Sequence, residues 1–134
     1  MTAETAPHFF SLSDAWLGEH PYDTHGKMNP PLGADEDRLA VIAALKDGTL
    51  DAIATDHAPH SSLDKNVEFD KAAFGIVGLE TSLALTLDQL VHAGHITPSR
   101  AVELCSAAPA TLWRRQEGCG RTQLACGARP RRAH

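Results

Sequence analysis

A chain of 134 residues has room for one domain with a real core and little beyond it. Hydrophobic residues make up 43% and charged residues 22%, the balance of a globular protein rather than a disordered one. A net charge of −5 argues against the clustered Lys/Arg surface that nucleic acid or an anionic membrane requires, and no apolar run approaches the roughly 20 residues of a membrane span.

Residues 1–10 predict a short strand that Pro7-His8 ends in a loop. The same stretch lacks a basic segment followed by an apolar one, so it does not read as a secretory signal. Residues 11–34, with "GEHPYDTHGKMNPPLG", are turn-rich and read as a long ordered loop, the kind that carries function on α/β scaffolds. A helix is expected over residues 35–47. Asp35 serves as its cap, Leu39, Ile42, Ala43 and Leu45 supply its apolar face, and Gly48 terminates it. The next strand, residues 50–55, is too apolar and too short for a surface element and delivers Asp56 at its C-terminal end. A second loop spans residues 57–77. A helix over residues 79–93 follows, with Leu79, Leu83, Leu87 and Leu90 spaced for one buried face. Thr97-Pro98 then caps and opens another helix running to about residue 107. There are no internal repeats.

This alternation predicts an α/β fold with a parallel sheet of buried strands. In such sheets the active site lies beyond the carboxyl ends of the strands, which is where "ATDHAPHSS", residues 54–62, falls. An aspartate that merely ends a strand is more often a cap than a catalyst. Here a carboxylate, two imidazoles and a proline crowd together after a buried strand, and that weighs for chemistry. Two strands alone would leave both sheet edges and much apolar helix surface wet, so the chain reads as part of a larger fold. Cys105, Cys119 and Cys126 form no C-x-x-C pair, which points away from a zinc knuckle or disulfide framework and toward a reducing cytoplasm. Of the eight histidines, most read as scattered surface or supporting residues.

With those residues in hand, "YDTHGKMNPPLG", "ALKDGTLDAIATDHAPHSSLDK" and "FGIVGLETSLALTLDQLV" closely resemble the C-terminal part of bacterial dihydroorotases, the cyclic amidohydrolases of pyrimidine synthesis. The resemblance runs over about residues 2–111. It implies a metal-dependent (β/α)8 barrel of the TIM type, with this chain supplying the seventh and eighth strand–helix units. It also implies reversible closure of N-carbamoyl-L-aspartate to dihydroorotate, in which a hydroxide held by two Zn2+ ions attacks the ring amide carbon. By position Asp56 matches the family aspartate that ligates one zinc and acts as acid and base. His60 matches the histidine on the substrate carboxylate, and Asn29 the asparagine that hydrogen-bonds the substrate ring. Phe74 and Gly75 match the pair whose backbone meets that ring, where a glycine permits close approach. His8 matches a supporting residue rather than a ligand. His57 fits a structural role as well as a direct one. Allantoinases and dihydropyrimidinases are similar to this family, but "KMNPP" around Asn29 favours dihydroorotase.

Three departures qualify the resemblance. Of the family's metal ligands only Asp56 has a counterpart, and Met1 stands where the family has an apolar strand residue, as though an internal codon served as the start. Gly33 stands where the family carries arginine. Residues 114–134, "RRQEGCGRTQLACGARPRRAH", are Arg/Gly-rich and non-periodic; they read as a tail outside the family pattern, expected to be disordered beside a barrel portion at 1–113. The competing readings are a dihydroorotase portion inactive by itself and a non-catalytic subunit. The latter would assemble with itself or with a partner such as aspartate carbamoyltransferase.

Overall fold

The computed structural model describes residues 2–116, with side chains as far as residue 113. Strands β1 (Glu4–Thr5) and β2 (Ala52–Ile53) pair in parallel, Glu4 opposite Ala52 and Thr5 opposite Ile53. The ladder continues at both ends: the Asp51 N–H donates to the Ala3 carbonyl at 2.9 Å and the Ala54 N–H to the Thr5 carbonyl at 2.8 Å. The Asp51 carboxylate also accepts the Ala3 N–H at 2.9 Å, locking the register. The parallel pair is as expected, although β2 is shorter than residues 50–55. Among the described residues these two strands form the whole sheet.

Beyond β1 the chain departs from the expectation of a loop. Pro7 opens helix α1 (Pro7–Ser11), because its ring presets the helical φ and its missing N–H is no loss at a first helical position. The segment that follows is mostly loop, as expected, with a short helix α2 (Ala15–Glu19) and a 3₁₀ turn at Thr24–Gly26. The Asn29–Pro30 bond is cis.

Helix α3 (Asp35–Asp47) has the expected bounds, and Gly48 ends it at φ 86°, a left-handed conformation that favours glycine. Its start differs. Ala34 is the capping residue, its N–H donates to the Asp37 carboxylate at 2.9 Å, and Asp35 is instead engaged by Arg38 at 2.6 Å. Only Ile42 and Leu45 of the expected face are buried; Leu39 and Ala43 are exposed.

The next helix begins at α5 (Ser82–Thr86), later than residue 79, and passes into a π-helical turn at Leu87–His92. The short helix α4 (Ser62–Lys65) precedes it within the loop. The buried stripe falls on Thr86 and Leu90, whereas Leu79 and Leu83 are more than 60% exposed. After Thr97, whose hydroxyl accepts the Arg100 N–H at 3.2 Å as expected, α6 (Pro98–Val102) runs on through a π turn at Glu103–Ala107 into α7 (Ala108–Gln116). This helix therefore outlasts residue 107 and takes residues 114–116 into its backbone. The remainder of the expected tail lies outside the described residues.

The core is a cluster of Phe10, Ile42, Leu45, Ile53, Leu90 and Leu104, with Leu85 and Ile96 packed against it. Four helical segments and β2 each donate one or two side chains, so the helices are clamped around the strand pair. Truncating Leu104, fully buried, to alanine is expected to cost about 2–5 kcal/mol, whereas Leu83→Ala should stay within about 0.5 kcal/mol. Urea unfolding of both variants checks this, and equal effects would mean the core is misplaced.

Candidate functional site

Because the strands are parallel, the segments after β1 and after β2 emerge from the same end of the pair and meet there. Asp56 lies three residues beyond β2, exposed, at φ 48°. Aspartate tolerates this left-handed conformation better than most side chains, yet it remains a strained setting of the kind stored at functional positions. The turn swings the following histidines back across the loop.

His57 is engaged by the backbone of a neighbouring loop. Its Nδ1 accepts the N–H groups of Gly78 at 3.1 Å and Leu79 at 3.2 Å, while its backbone bridges in parallel to Ile76. Two donors at Nδ1 assign the proton of the neutral ring to Nε2. The same contacts tie the segment just before α5 to the loop that follows β2.

His60 and the Phe74-Gly75 pair come into direct contact. The His60 Nε2 lies 2.8 Å from the Phe74 carbonyl. Gly75 has φ 141°, and a Cβ there would sit 2.7 Å from the Ala58 carbonyl oxygen and 3.0 Å from His60 Nε2. No other residue fits without displacing backbone. The Gly75 N–H in turn donates to the Lys27 carbonyl at 3.0 Å, tying this loop to the segment that leads to Asn29. Asn29 and Phe74 are exposed, the Phe74 ring lying 4.5 Å from the Lys27 ammonium.

The residue that joins these segments went unnoticed in the sequence. Lys65 is only 6% exposed, and its ammonium donates to the carbonyls of Gly75 (2.7 Å), Thr24 (2.9 Å), Ala73 (2.9 Å) and Lys27 (3.3 Å). The Thr24 hydroxyl closes the circle by donating to the Lys65 carbonyl at 2.5 Å. Burial pushes the Lys65 ammonium below the ordinary lysine range; Lys27 pushes the same way and Asp23 opposes both. A lone lysine in "SSLDKN" carries no sequence signal, since lysine is ordinarily a surface residue. The Ser61–Asp64 cap just before it is a readable S-x-x-D pattern: Ser61 Oγ donates to the Asp64 carboxylate at 2.7 Å and accepts the Asp64 N–H at 3.3 Å.

A cavity of about 650 Å³ opens beside this loop cluster, lined among others by His8, Met28, His60, Lys65, Gly75 and Gly78. Asp56, Asn29 and Phe74 lie outside its lining. His8 is 5% exposed, and its Nε2 has no hydrogen-bond partner among the described residues. Burial lowers its pKa from the ordinary 6.5, with the Asp56 charge working in the opposite sense. Gly33, where the resemblance implies arginine, has its carbonyl taken by the Asp14 N–H at 2.8 Å, and a side chain there would press on Asp37.

No family model matches the chain. Its sequence is 63% identical over 113 residues to a dihydroorotase of Desulfotalea psychrophila, covering 84% of this chain and 26% of that protein. A dihydroorotase of Desulforapulum autotrophicum is 60% identical over 110 residues, covering 82% and 25%. By sequence, the chain is similar to part of these dihydroorotases. It spans about a quarter of the length of the curated dihydroorotases it matches. A third, from Solibacter usitatus, is 48% identical over 128 residues, 96% of this chain, so that dihydroorotase likeness extends well past residue 111 and into the stretch expected to fall outside the family. Among solved structures, an L-hydantoinase (dihydropyrimidinase) from Arthrobacter aurescens superposes with a TM-score of 0.75 at 28% identity, over 83% of this chain and 25% of that one. A D-hydantoinase superposes with a TM-score of 0.74 at 26% identity, over 84% and 25%.

Two outcomes are expected. Gly75→Ala should shift the His60 ring resonances and lower the melting temperature, because its Cβ would meet the Ala58 carbonyl; unchanged His60 signals would show that the loop has room. Stability should also fall between about pH 7.5 and pH 5.5. The folded state resists protonating His8 while the unfolded chain protonates it near 6.5, so the contribution is complete above that value and is lost as pH drops through it toward the lower folded value. Melting curves for wild type and His8→Gln check this, the variant giving the flatter profile.

Proposed function

We propose that this chain forms the substrate-facing portion of a dihydroorotase, as the seventh and eighth strand–helix units of its (β/α)8 barrel. The observation that carries the reading is the contact of His60 with the Phe74 carbonyl beside a glycine that no other residue can replace, in a chain 63% identical to a dihydroorotase. Hydantoinases share the local fold at 26–28% identity, and the far higher identity favours dihydroorotase over another cyclic amidohydrolase.

In the hydrolytic direction water adds to the ring amide carbon of dihydroorotate, the C–N bond breaks, and the freed nitrogen takes a proton to give N-carbamoyl-L-aspartate. Closure is the reverse, with loss of water. Asp56 takes the proton from the attacking water and returns it to the leaving nitrogen. His60 holds the substrate carboxylate. Asn29 and the backbone of Phe74 and Gly75 hold the ring, so that the reacting carbon is fixed relative to Asp56.

The family's complete site takes two zinc ions. The donors present here do not fit that group by themselves: among the described residues no three His, Cys, Asp or Glu side chains gather to hold a metal ion, and a catalytic zinc needs about three protein ligands. Asp56 would be one ligand, and the others must come from outside the described residues. Among the described residues, no helix is long and apolar enough to cross a membrane. The alternative, a non-catalytic subunit associating with itself or with an aspartate carbamoyltransferase, draws support from the open outer edges of β1 and β2 and from exposed Leu79 and Leu83.

The purified chain alone should show no dihydroorotase turnover and less than one tightly held zinc; zinc-dependent turnover above background would require a metal site this reading lacks. Within a full-length enzyme carrying this segment, Asp56→Asn should lower kcat by at least about 10²–10⁴-fold, because a carboxamide neither takes up nor gives up a proton near neutral pH. His8→Ala should leave a folded, partly active enzyme. Near-normal kcat for Asp56→Asn, or loss of a zinc ion with His8→Ala, would reverse the two roles.

A further inference from the structure

A buried ammonium ringed by backbone carbonyls is costly unless every N–H finds an acceptor. Lys65 meets that condition with three N–H donors against four carbonyls, the longest contact being the Lys27 carbonyl at 3.3 Å. Those carbonyls belong to two separate segments. Thr24 and Lys27 precede Asn29, whereas Ala73 and Gly75 flank Phe74. The two segments are joined directly by one further bond, from the Gly75 N–H to the Lys27 carbonyl at 3.0 Å. On the Lys65 side, the ammonium grips Gly75, the residue whose bare Cα leaves space for His60 Nε2. A side-chain cation therefore joins the backbone on either side of Phe74 to the segment that ends two residues before Asn29, and the His60 ring reaches the same loop through the Phe74 carbonyl.

We propose that Lys65 is a positioning residue of the substrate site, its ammonium clamping the loop through residues 24–27 to the loop through residues 73–75 so that Asn29, His60, Phe74 and Gly75 keep one register. It touches no substrate itself and acts through the four carbonyls. Lys27 cannot take its place, because its ammonium donates to the Asp70 carbonyl at 2.9 Å and lies over the Phe69 and Phe74 rings. Lys71, on the same loop, is exposed and paired with Glu68, and serves as the control. The proposal rests on the reading of those four residues as substrate contacts.

The test uses the full 134-residue chain in nitrogen-15 form. In the wild type, the Lys65 ammonium protons should exchange slowly enough to give a resolved resonance at neutral pH, while those of exposed Lys46 and Lys71 are lost to exchange with water. This readout needs no variant; a Lys65 ammonium that exchanges as fast as Lys46 would overturn the clamp. Lys65→Met should then move the amide signals of Phe74 and Gly75 and the ring signals of His60 with the far-ultraviolet circular dichroism unchanged, whereas Lys71→Met should leave them in place. In a background with Cys105, Cys119 and Cys126 replaced by serine, Lys65→Cys alkylated with 2-bromoethylamine rebuilds an ammonium of nearly the same reach and should return those signals toward wild type. Failure of that rescue, with the protein folded, would also overturn the clamp. Adding N-carbamoyl-L-aspartate to the wild type tests the underlying reading separately: silence at His60 and Gly75, with Lys65→Met still displacing them, would leave the clamp standing and sink the substrate assignment.

Discussion

Everything at the site depends on the parallel sense of the β1–β2 pair. An antiparallel pair would send the segment after Thr5 and the segment after Ile53 to opposite ends of the strands. Parallel pairing, locked by the Asp51–Ala3 and Ala54–Thr5 bonds, sends both the same way. Residues 24–30 and 56–79 can then share one face, although some 30 to 50 positions of chain separate them. The helical core under them serves this arrangement. Phe10, Leu45, Ile53 and Leu90 are supplied by four different elements, so burying them holds the strands in register while the loops remain free to be shaped by polar contacts.

Those loops are shaped by backbone bonding more than by apolar burial. His57 holds Gly78 and Leu79 through one ring nitrogen, His60 meets the Phe74 carbonyl, and Lys65 gathers four carbonyls. Each of these polar side chains stands in for an absent strand partner. A loop of this length carries many peptide groups that cannot pair within themselves, and such groups must be satisfied by side chains or water. Gly75 and Gly78 permit the close approach: a Cβ on either would lie 2.7 Å from a carbonyl oxygen, of Ala58 and of Thr55 respectively. The cost of building a site this way is sensitivity, because one altered loop residue moves several contacts.

The apolar surface has a different distribution. Leu79, Leu83, Val77 and Val102 are each more than 60% exposed, and the sheet's outer edges carry no strand among the described residues. The dihydroorotases this chain resembles are about four times as long as the matched segment.

Much was legible from local pattern. Helix α3 with its terminal Gly48, the Thr97-Pro98 start, the buried strand before Asp56 and the dihydroorotase likeness of the "DHAPH" and "KMNPP" stretches are all set by residues close in sequence, where propensity and spacing act directly. Other features were decided only when distant segments met. Leu79 and Leu83 keep a helical spacing yet are exposed: Leu79 lies before the helix, where His57, more than 20 residues earlier, accepts its N–H, and the covered face of the helix falls on Thr86 and Leu90. Leu39 is half exposed although it shares the spacing of buried Ile42 and Leu45. Lys65 carries no pattern at all, since its burial depends on four carbonyls drawn from segments 8 to 41 residues away. Periodicity records which face of an element is apolar; which face is covered, and which charge is enclosed, depends on the partner that folding brings.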